Sequence, residues 1–469
     1  MEAIGRNREK AVFKRLYEEE KSHFVAVYGR RRIGKTFIIK NYFKTFAFQH
    51  TGIANVGMTE QLEAFSNSLQ YYSSKKTPQP NNWLEAFEIL KKVLVASKKE
   101  KKVIFIDELP WLDTPRSNFL SALEHFWNGW AAHRKDILLI VCGSATSWIV
   151  KKIFNNKGGL HNRVTHKINL KPFNLAETEE FLQSKNIAFN RYQLVKAYMV
   201  FGGVPFYLEG IEKGKSIDQC IDDLLFDESG LLYQEYQNLY QALFSNPENY
   251  ISVVKALATK NKGLTRDEIV KIAKFKTGGT LSAILNDLEL SDFIRVYQPF
   301  GKKKRNSLYQ LTDAYSLFYH NFLEKNKIKK GYWLHNIDNP KVRAWSGYAF
   351  EIVCLQHISE IKKALGISGV YTEISSWISR TEEQNVQIDL VIDRRDQVIN
   401  LFEIKYSQED YLITAKYSSE LRQKIGVFKR ETKTKKAVFL SMLTTYGLKI
   451  NENSGYVQND LNMDCLFQE

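Results

Sequence analysis

The sequence predicts an α/β protein in four parts. They are a parallel-sheet core over residues 1–170, a helical subdomain and connector over 171–260, a two-helix and hairpin module over 261–330, and a second α/β domain over 331–469. Three observations predict this. A short apolar strand, Phe24 to Tyr28, runs into a glycine-rich turn and then a helix in "HFVAVYGRRRIGKTFIIKNYF". Two continuous apolar runs, within "KKVIFIDELPWL" and "DILLIVCGSA", have the composition of strands buried on both faces. Near the C-terminus, "VQIDLVIDRRDQVINLFEIKYS" reads as a strand, a turn and a second strand.

A length of 469 residues corresponds to roughly two to four domains. The hydrophobic content of 44% suffices for several cores. No apolar run approaches the ~20 residues of a membrane span, and the charged N-terminus has no secretion-signal core. Cys142, Cys220, Cys354 and Cys465 are far apart and form no CxxC pair, which fits free thiols in a reducing cytoplasm. The net charge of +15 favours a polyanionic partner, most simply nucleic acid, with a solubility role as the bland alternative.

Gly29 to Thr36 spell GxxxxGKT between a strand and a helix, the context a phosphate-binding loop requires. Gly29, Arg30, Arg31, Arg32, Ile33, Gly34, Lys35, Thr36 and the following Phe37 form the expected ATP contacts. The loop N–H groups and the helix N-terminus face the phosphates. Lys35 reaches the β- and γ-phosphates, and the Thr36 hydroxyl binds Mg²⁺. In the next apolar run Val103 to Ile106 form a strand, and Asp107 and Glu108 emerge at its C-terminal end, where ligands sit in open α/β sheets. Asp107 is expected to hold Mg²⁺ through water, and Glu108 to polarise the attacking water. Ser144, after the next strand, either senses the γ-phosphate or caps a helix. Arg163 in "GGLHNRVTHKINLKPF" is either an arginine finger, in cis or toward a neighbouring subunit, or a solvated surface arginine.

Together "IGRNREKAVFKRLY", "VYGRRRIGKTFII", "VIFIDELPWL", "FWNGW", "CGSATSWI", "NRVTHKINLKPF" and "FGGVPFYL" resemble the archaeal-type ATPases, AAA+-related proteins close to the STAND signalling ATPases. The resemblance covers about residues 1 to 215. It implies a P-loop AAA+-like ATPase domain with a helical subdomain. It also implies that Gly5, Arg6 and Asn7 lie near the adenine pocket, and that Pro205, in the Gly203 to Pro205 segment, approaches the base.

Residues 216 to 260 carry helical apolar spacing in "SIDQCIDDLLF" and "NLYQALF". In "LTRDEIVKIAKF", Thr265 and Glu268 form a capping box. A glycine turn and a second helix follow in "TGGTLSAILNDLELSDFI", then a hairpin in "FIRVYQPFGKKKRNSLYQLTD". Helix, turn, helix and hairpin predict a winged helix. The turn Lys302 to Arg305 either contacts phosphates or is a solvated tip. The second helix offers only Ser282 and Asn286 as obvious base readers, so sequence-specific repression is not expected. The aromatic spacing of "LTDAYSLFYHNFLEKNK" predicts core packing.

In the last part, "VRAWSGYAFEIVCLQHI" is an apolar helix carrying Glu351. Asp389 lies on the first strand of the hairpin, and Glu403 and Lys405 on the second, two residues apart and so on one face. Glu351, Asp389 and Glu403 are expected to converge on one Mg²⁺, since carboxylate oxygens suit a hard cation. Lys405 then orients the nucleophile or steadies the developing charge. The alternative is a buried Glu403–Lys405 ion pair. An acid, a hairpin and E-x-K, with "GYAFE" before them, resemble the PD-(D/E)xK nuclease motif over residues 340 to 469, with Gln387-Ile388-Asp389 in place of Pro-Asp. The resemblance implies a restriction-endonuclease-like α/β domain that cuts nucleic acid, most simply DNA, under ATP control. The rivals are a STAND-like switch that binds DNA or protein without cutting, a transcription regulator, and a chaperone-like ATPase. Assembly into a homo-oligomer stays open.

Overall fold

The computed structural model describes residues 3–155, 158–160, 162–275, 278–324, 329–379 and 386–468. Thr277 and residues 325–327, which belong to predicted elements, lie outside the described residues. The chain divides into two compact units, Met1–Pro172 and Phe173–Glu469.

The first unit carries β1 (His23–Tyr28), β2 (Phe48–Thr51), β3 (Lys102–Asp107), β4 (Ile137–Gly143) and β5 (His166–Asn169). They form one sheet in the order β2-β3-β4-β1-β5, every adjacent pair parallel. The apolar runs explain this arrangement, because both faces of each central strand are buried. Phe24, Ala26, Ile104, Ile106, Leu139 and Val141 enter one core, under the helices Met58–Tyr72, Trp83–Ala96 and Phe119–Gly129. Their neighbours Val25, Val27, Val103, Phe105, Leu138 and Ile140 enter a second core, with the helices Asn7–Glu18 and Lys35–Tyr42. Period-two alternation with both faces apolar is the mark of a covered parallel sheet. The C-terminal ends of β1, β3 and β4 lie side by side, so the loops after Tyr28, Asp107 and Gly143 share one edge.

The second unit begins with the helices Leu175–Ser184, Arg191–Phe201, Pro205–Glu209, Ile217–Leu225 and Glu235–Leu243. Helices Pro247–Leu257, Arg266–Ile272 and Gly279–Leu290 follow, then the antiparallel hairpin of β6 (Ile294–Tyr297) and β7 (Leu308–Leu311). The predicted capping box is present: Thr265 Oγ1 accepts from Glu268 N, and Glu268 accepts from Thr265 N at 2.7 Å. The aromatic run packs as core, with Phe318 and Phe322 each meeting the edges of Trp333 and Trp345 at ring-centroid distances of 5.1 to 5.3 Å.

The helix Pro340–Gln356 leads into β8 (Thr372–Ile378), β9 (Gln387–Arg394) and β10 (Val398–Lys405), an antiparallel meander. β11 (Tyr411–Leu412) and the helix Ala415–Thr432 carry the chain across to β12 (Ala437–Thr444), which pairs parallel with β10. β13 (Leu448–Lys449) pairs with β11, and β14 (Asn459–Asn462) pairs parallel with β12. The larger sheet runs β14-β12-β10-β9-β8. A helix is the usual crossover between parallel neighbours. Ile388, Val391, Ile399 and Leu401 pack against Val427 and Phe428 of that helix.

Candidate functional site

The glycine-rich turn leaves β1 in a conformation that its sequence permits. Gly29 has φ +141°, and a Cβ there would stand 2.2 Å from Leu170 O. Any side chain at 29 therefore collides with backbone in addition to the φ strain. Arg32 and Gly34 also take positive φ, and the helix starts at Lys35. The Lys35 ammonium is buried and donates to Gly29 O at 3.0 Å and Arg30 O at 2.8 Å. Burial pushes its pKa below the ordinary lysine value, despite the nearby Cys142, Glu108 and Asp107. Thr36 Oγ1 donates to Asp107 Oδ2 at 2.7 Å, and Asp107 Oδ1 accepts from Glu108 N at 2.9 Å. Glu108 sits in the left-handed region at φ 48° and accepts from Ser144 Oγ at 3.1 Å.

Lys35, Thr36, Asp107, Glu108 and Ser144 thus meet at the edge where β1, β3 and β4 end. A hydroxyl hydrogen-bonded to a buried carboxylate beside a caged ammonium fits Mg²⁺ and a polyphosphate. Ile33 and Arg30 are buried, while Arg31 and Phe37 are exposed. Arg6 joins the site from the N-terminal segment, donating from Nη2 to Ile33 O at 3.3 Å. Pro205 opens a short helix in the second unit, after Gly202 and Gly203 at positive φ.

Arg163 is exposed and lies before β5. Thr165 N bonds Phe24 O, so Arg163 stands near the start of β1. Gly29 lies five residues further on, about 16 Å along a strand. The cis form of the arginine-finger expectation is corrected on that ground, since the segment is at the opposite end of β1 from the loop.

The C-terminal acids are arranged differently from expectation. Phe402 pairs with Leu390, so one step further Glu403 stands opposite Asp389, and directly opposed residues share a face. Ammonium groups nevertheless divide the acids, one shared by Glu351 and Asp389 and another held by Glu403. Lys262 Nζ lies 2.7 Å from Glu351 Oε2 and 2.9 Å from Asp389 Oδ1. Lys424 Nζ lies 2.6 Å from Glu403 Oε1, the Tyr417 hydroxyl donates to Glu403 Oε2 at 3.1 Å, and Lys405 Nζ stands 3.6 Å from the same oxygen. Among the described residues no group of three or more His, Cys, Asp or Glu side chains is arranged to hold a metal ion. The expected convergence of Glu351, Asp389 and Glu403 on one Mg²⁺ is therefore corrected: ammonium groups take the positions a cation needs. The Glu403–Lys405 pair is real, as one contact of a larger cluster.

The electrostatics follow from burial. Burial and the charge of Asp389 push the Glu351 carboxyl up to about 7, against the pull of Lys262. Burial opposes ionisation of Asp389 too, but Lys262 outweighs it and holds that carboxyl below its ordinary value. Lys262 itself loses solvation, yet the two carboxylates raise its pKa. Burial and the neighbouring Glu403 raise the Tyr417 phenol. Sequence reading missed Lys262, Lys424 and Tyr417 as partners. The only signal for Lys262 was a lysine before the glycine of "KNKGL", which looks like an ordinary polar turn.

Residues 5–211 match a family described as an ATPase domain predominantly from Archaea. The N-terminal region is similar to an archaeal ATPase domain. That match supports ATPase function for the region holding Lys35, Thr36, Asp107 and Glu108. Residues 317–420 match a family described as archaeal and bacterial proteins of unknown function. An uncharacterised protein of Methanocaldococcus jannaschii is 26% identical over 415 residues, covering 86% of this chain and 87% of its own. Among solved structures, a Walker-type ATPase of Pyrococcus abyssi has a TM-score of 0.48 at 15% identity, over 68% of this chain and 96% of its own. The ORC2 protein of Aeropyrum pernix has a TM-score of 0.44 at 14% identity, over 76% of this chain and 96% of its own. Among the described residues no helix is long and apolar enough to cross a membrane.

Proposed function

We propose that the chain is an ATP-hydrolysing switch that controls a C-terminal module acting on nucleic acid, most simply by cutting DNA. In the ATPase half, Lys35 gives up the carbonyls of Gly29 and Arg30 and donates to phosphate oxygens instead. Thr36 and Asp107 would hold Mg²⁺, which would neutralise charge on the β- and γ-phosphates. Glu108 leaves Ser144 and orients the attacking water. Ser144 is then free to donate to the γ-phosphate. Arg163, exposed and remote from its own loop, serves a neighbouring subunit.

For the output module, the observation that carries the reading is the placement of Asp389, Glu403 and Lys405 on one face of β9 and β10, beside the helix bearing Glu351. The meander, helical crossover and parallel strand around them support a nuclease-like fold. The hairpin β6–β7 and the helices before it support a winged helix, whose exposed Lys303 and Arg305 suit phosphate contact without base reading. The +15 net charge suits the same partner.

The test is a cleavage assay on supercoiled, linear and single-stranded DNA and on RNA, each with and without ATP. Cleavage that disappears in Lys405→Ala and loses its ATP response in Lys35→Ala is the expected result. Protein that neither binds nor cuts any of these substrates refutes the reading. A second reading, a switch that binds without cutting, is favoured by one observation: Glu351, Asp389 and Glu403 are all neutralised by lysines. Binding without cleavage under every nucleotide condition selects it.

A further inference from the structure

The residue that bridges Glu351 and Asp389 belongs to neither the sheet nor its helices. Lys262 lies between the helices Pro247–Leu257 and Arg266–Ile272, in the module that ends in the β6–β7 hairpin. Its backbone is fixed on both sides. Gln310 Nε2 donates to Asn261 O at 2.7 Å, and the Tyr297 hydroxyl donates to Lys262 O at 2.7 Å. Leu264 and Tyr309 exchange backbone bonds at 2.9 and 2.8 Å. Gly263 turns the chain at φ +86°, where a Cβ would stand 2.5 Å from Tyr309 O. The hairpin is in turn seated on the C-terminal sheet. Phe300 N donates to Ser376 O at 2.8 Å, Phe300 packs on Phe428 at 5.3 Å, and Ser376 Oγ lies 3.3 Å from the Tyr297 hydroxyl. The hairpin thus sets Lys262 against the two carboxylates as a fixed wedge.

We propose that Lys262 is an autoinhibitory latch: its ammonium fills the place between Glu351 and Asp389 that a divalent cation would take, so cation binding requires the Lys262 segment to withdraw. The proposal deepens the nucleic-acid reading of this module and rests on it for its consequence. The exclusion follows from size. Magnesium and calcium ligands lie about 2.0 to 2.6 Å from the ion, so a cation touching these oxygens and an ammonium 2.7 and 2.9 Å from them cannot coexist. It follows from charge as well, since an ammonium repels an incoming dication at close range. The segment is a short connector bonded to one hairpin, and withdrawal with that hairpin breaks the Phe300–Ser376 bond and the Phe300–Phe428 contact but none of the strand pairings of the sheet.

Two measurements test this. The first is Mn²⁺ titration by calorimetry, without nucleotide, of the full chain and of Lys262→Met. The variant is expected to bind Mn²⁺ at least tenfold more tightly than wild type, and Lys262→Met with Asp389→Asn is expected to lose that gain. Equal affinity in Lys262→Met and wild type overturns the proposal. The second uses wild type alone and does not depend on how the variant folds. Reductive methylation read by mass spectrometry is expected to label Lys262 poorly, and more strongly as Mn²⁺ rises to saturation. Labelling of Lys262 that ignores Mn²⁺ at saturation also overturns it. A Lys262→Met protein that binds Mn²⁺ but never cuts nucleic acid keeps the latch and removes the cleavage reading. Wild-type cleavage that Lys262→Met leaves unchanged keeps the function and removes the latch.

Discussion

Replacing Lys35 with methionine should abolish nucleotide response without costing the fold, and the structure sets the size of both effects. The ammonium is buried and bonds two uncharged carbonyls of its own loop. On ATP binding it exchanges them for phosphate oxygens. A hydrogen bond joining two charged groups is taken at about 1.5 to 3 kcal/mol, and the bonds to uncharged carbonyls given up return about 1 kcal/mol each. Two exchanges therefore leave a net of about 1 to 4 kcal/mol, or roughly 5- to 900-fold in Kd. The stability side has the opposite sign. The folded state depresses the Lys35 pKa through burial, so it disfavours the ammonium present at pH 7. Methionine, of similar length, removes that penalty while leaving two carbonyls to find other donors. The apo melting temperature of Lys35→Met should therefore stay within a few degrees of wild type, or rise. The assay is thermal unfolding with and without MgATP. At 100 times Kd, ATP stabilises wild type by about 2.7 kcal/mol, whereas a 100-fold weaker variant gains only about 0.4 kcal/mol at that concentration. An undiminished ATP shift in Lys35→Met refutes the site. A large fall in apo melting temperature refutes the account of the buried ammonium.

Glu108→Gln should lower kcat by about 10²-fold or more while ATP affinity changes little, measured by phosphate release and equilibrium binding. A loss confined to KM would show that Glu108 binds nucleotide rather than orienting water. His50 on β2 is buried and its pKa is lowered to about 4 by desolvation. The fold thus favours neutral His50; its stability contribution is full above the unfolded value of about 6.5 and is lost as pH falls toward 4. Wild type should lose about 2 kcal/mol more than His50→Gln between pH 7 and pH 5 in urea unfolding, and parallel curves would count against it. Asp222, 2% exposed, accepts from Gly331 N at 2.6 Å and Trp333 N at 2.9 Å. Asp222→Ala should cost about 2 to 4 kcal/mol, seen as a lower urea midpoint.

Local physics made the ATPase half legible. A buried parallel strand must be apolar on both faces, so Val103 to Ile106 could be read directly from the sequence. The phosphate loop announces itself because Gly29 cannot carry a side chain against Leu170 O. Asp107 follows because functional groups emerge where such strands end. Arg163 was readable as a basic residue before a strand, but which end of β1 it faces depends on the parallel pairing of β5. In the C-terminal part the hairpin and the shared face of Glu403 and Lys405 were legible, being matters of period two. The partners were not. Lys262 precedes Asp389 by 127 residues and Lys424 follows Glu403 by 21, and nothing local marks either one as a counter-ion.

Those partners decide what the acids can do. Glu351, Asp389 and Glu403 face the ammonium groups of Lys262, Lys405 and Lys424, and the Glu351 carboxyl is pushed up to about 7, so the cluster as folded holds no surplus of negative charge to draw a dication from water. One ammonium has to leave first. Lys405 lies on β10, in register with Thr444 of β12, and Lys424 is on the helix whose Val427 and Phe428 fill the core beneath the sheet; moving either disturbs packing. Lys262 sits on neither the sheet nor its crossover helix: its segment is held by bonds to β6 and β7, with Phe300 of that hairpin resting on Phe428. Removing a partner from a buried pair leaves an uncompensated charge that costs about 3 to 5 kcal/mol, so displacement stays unfavourable unless a new cation arrives in the same step. Coupling those two events suits a switch: the segment stays in place while no competing cation binds, and any input that lifts the β6–β7 hairpin lowers the barrier for both at once.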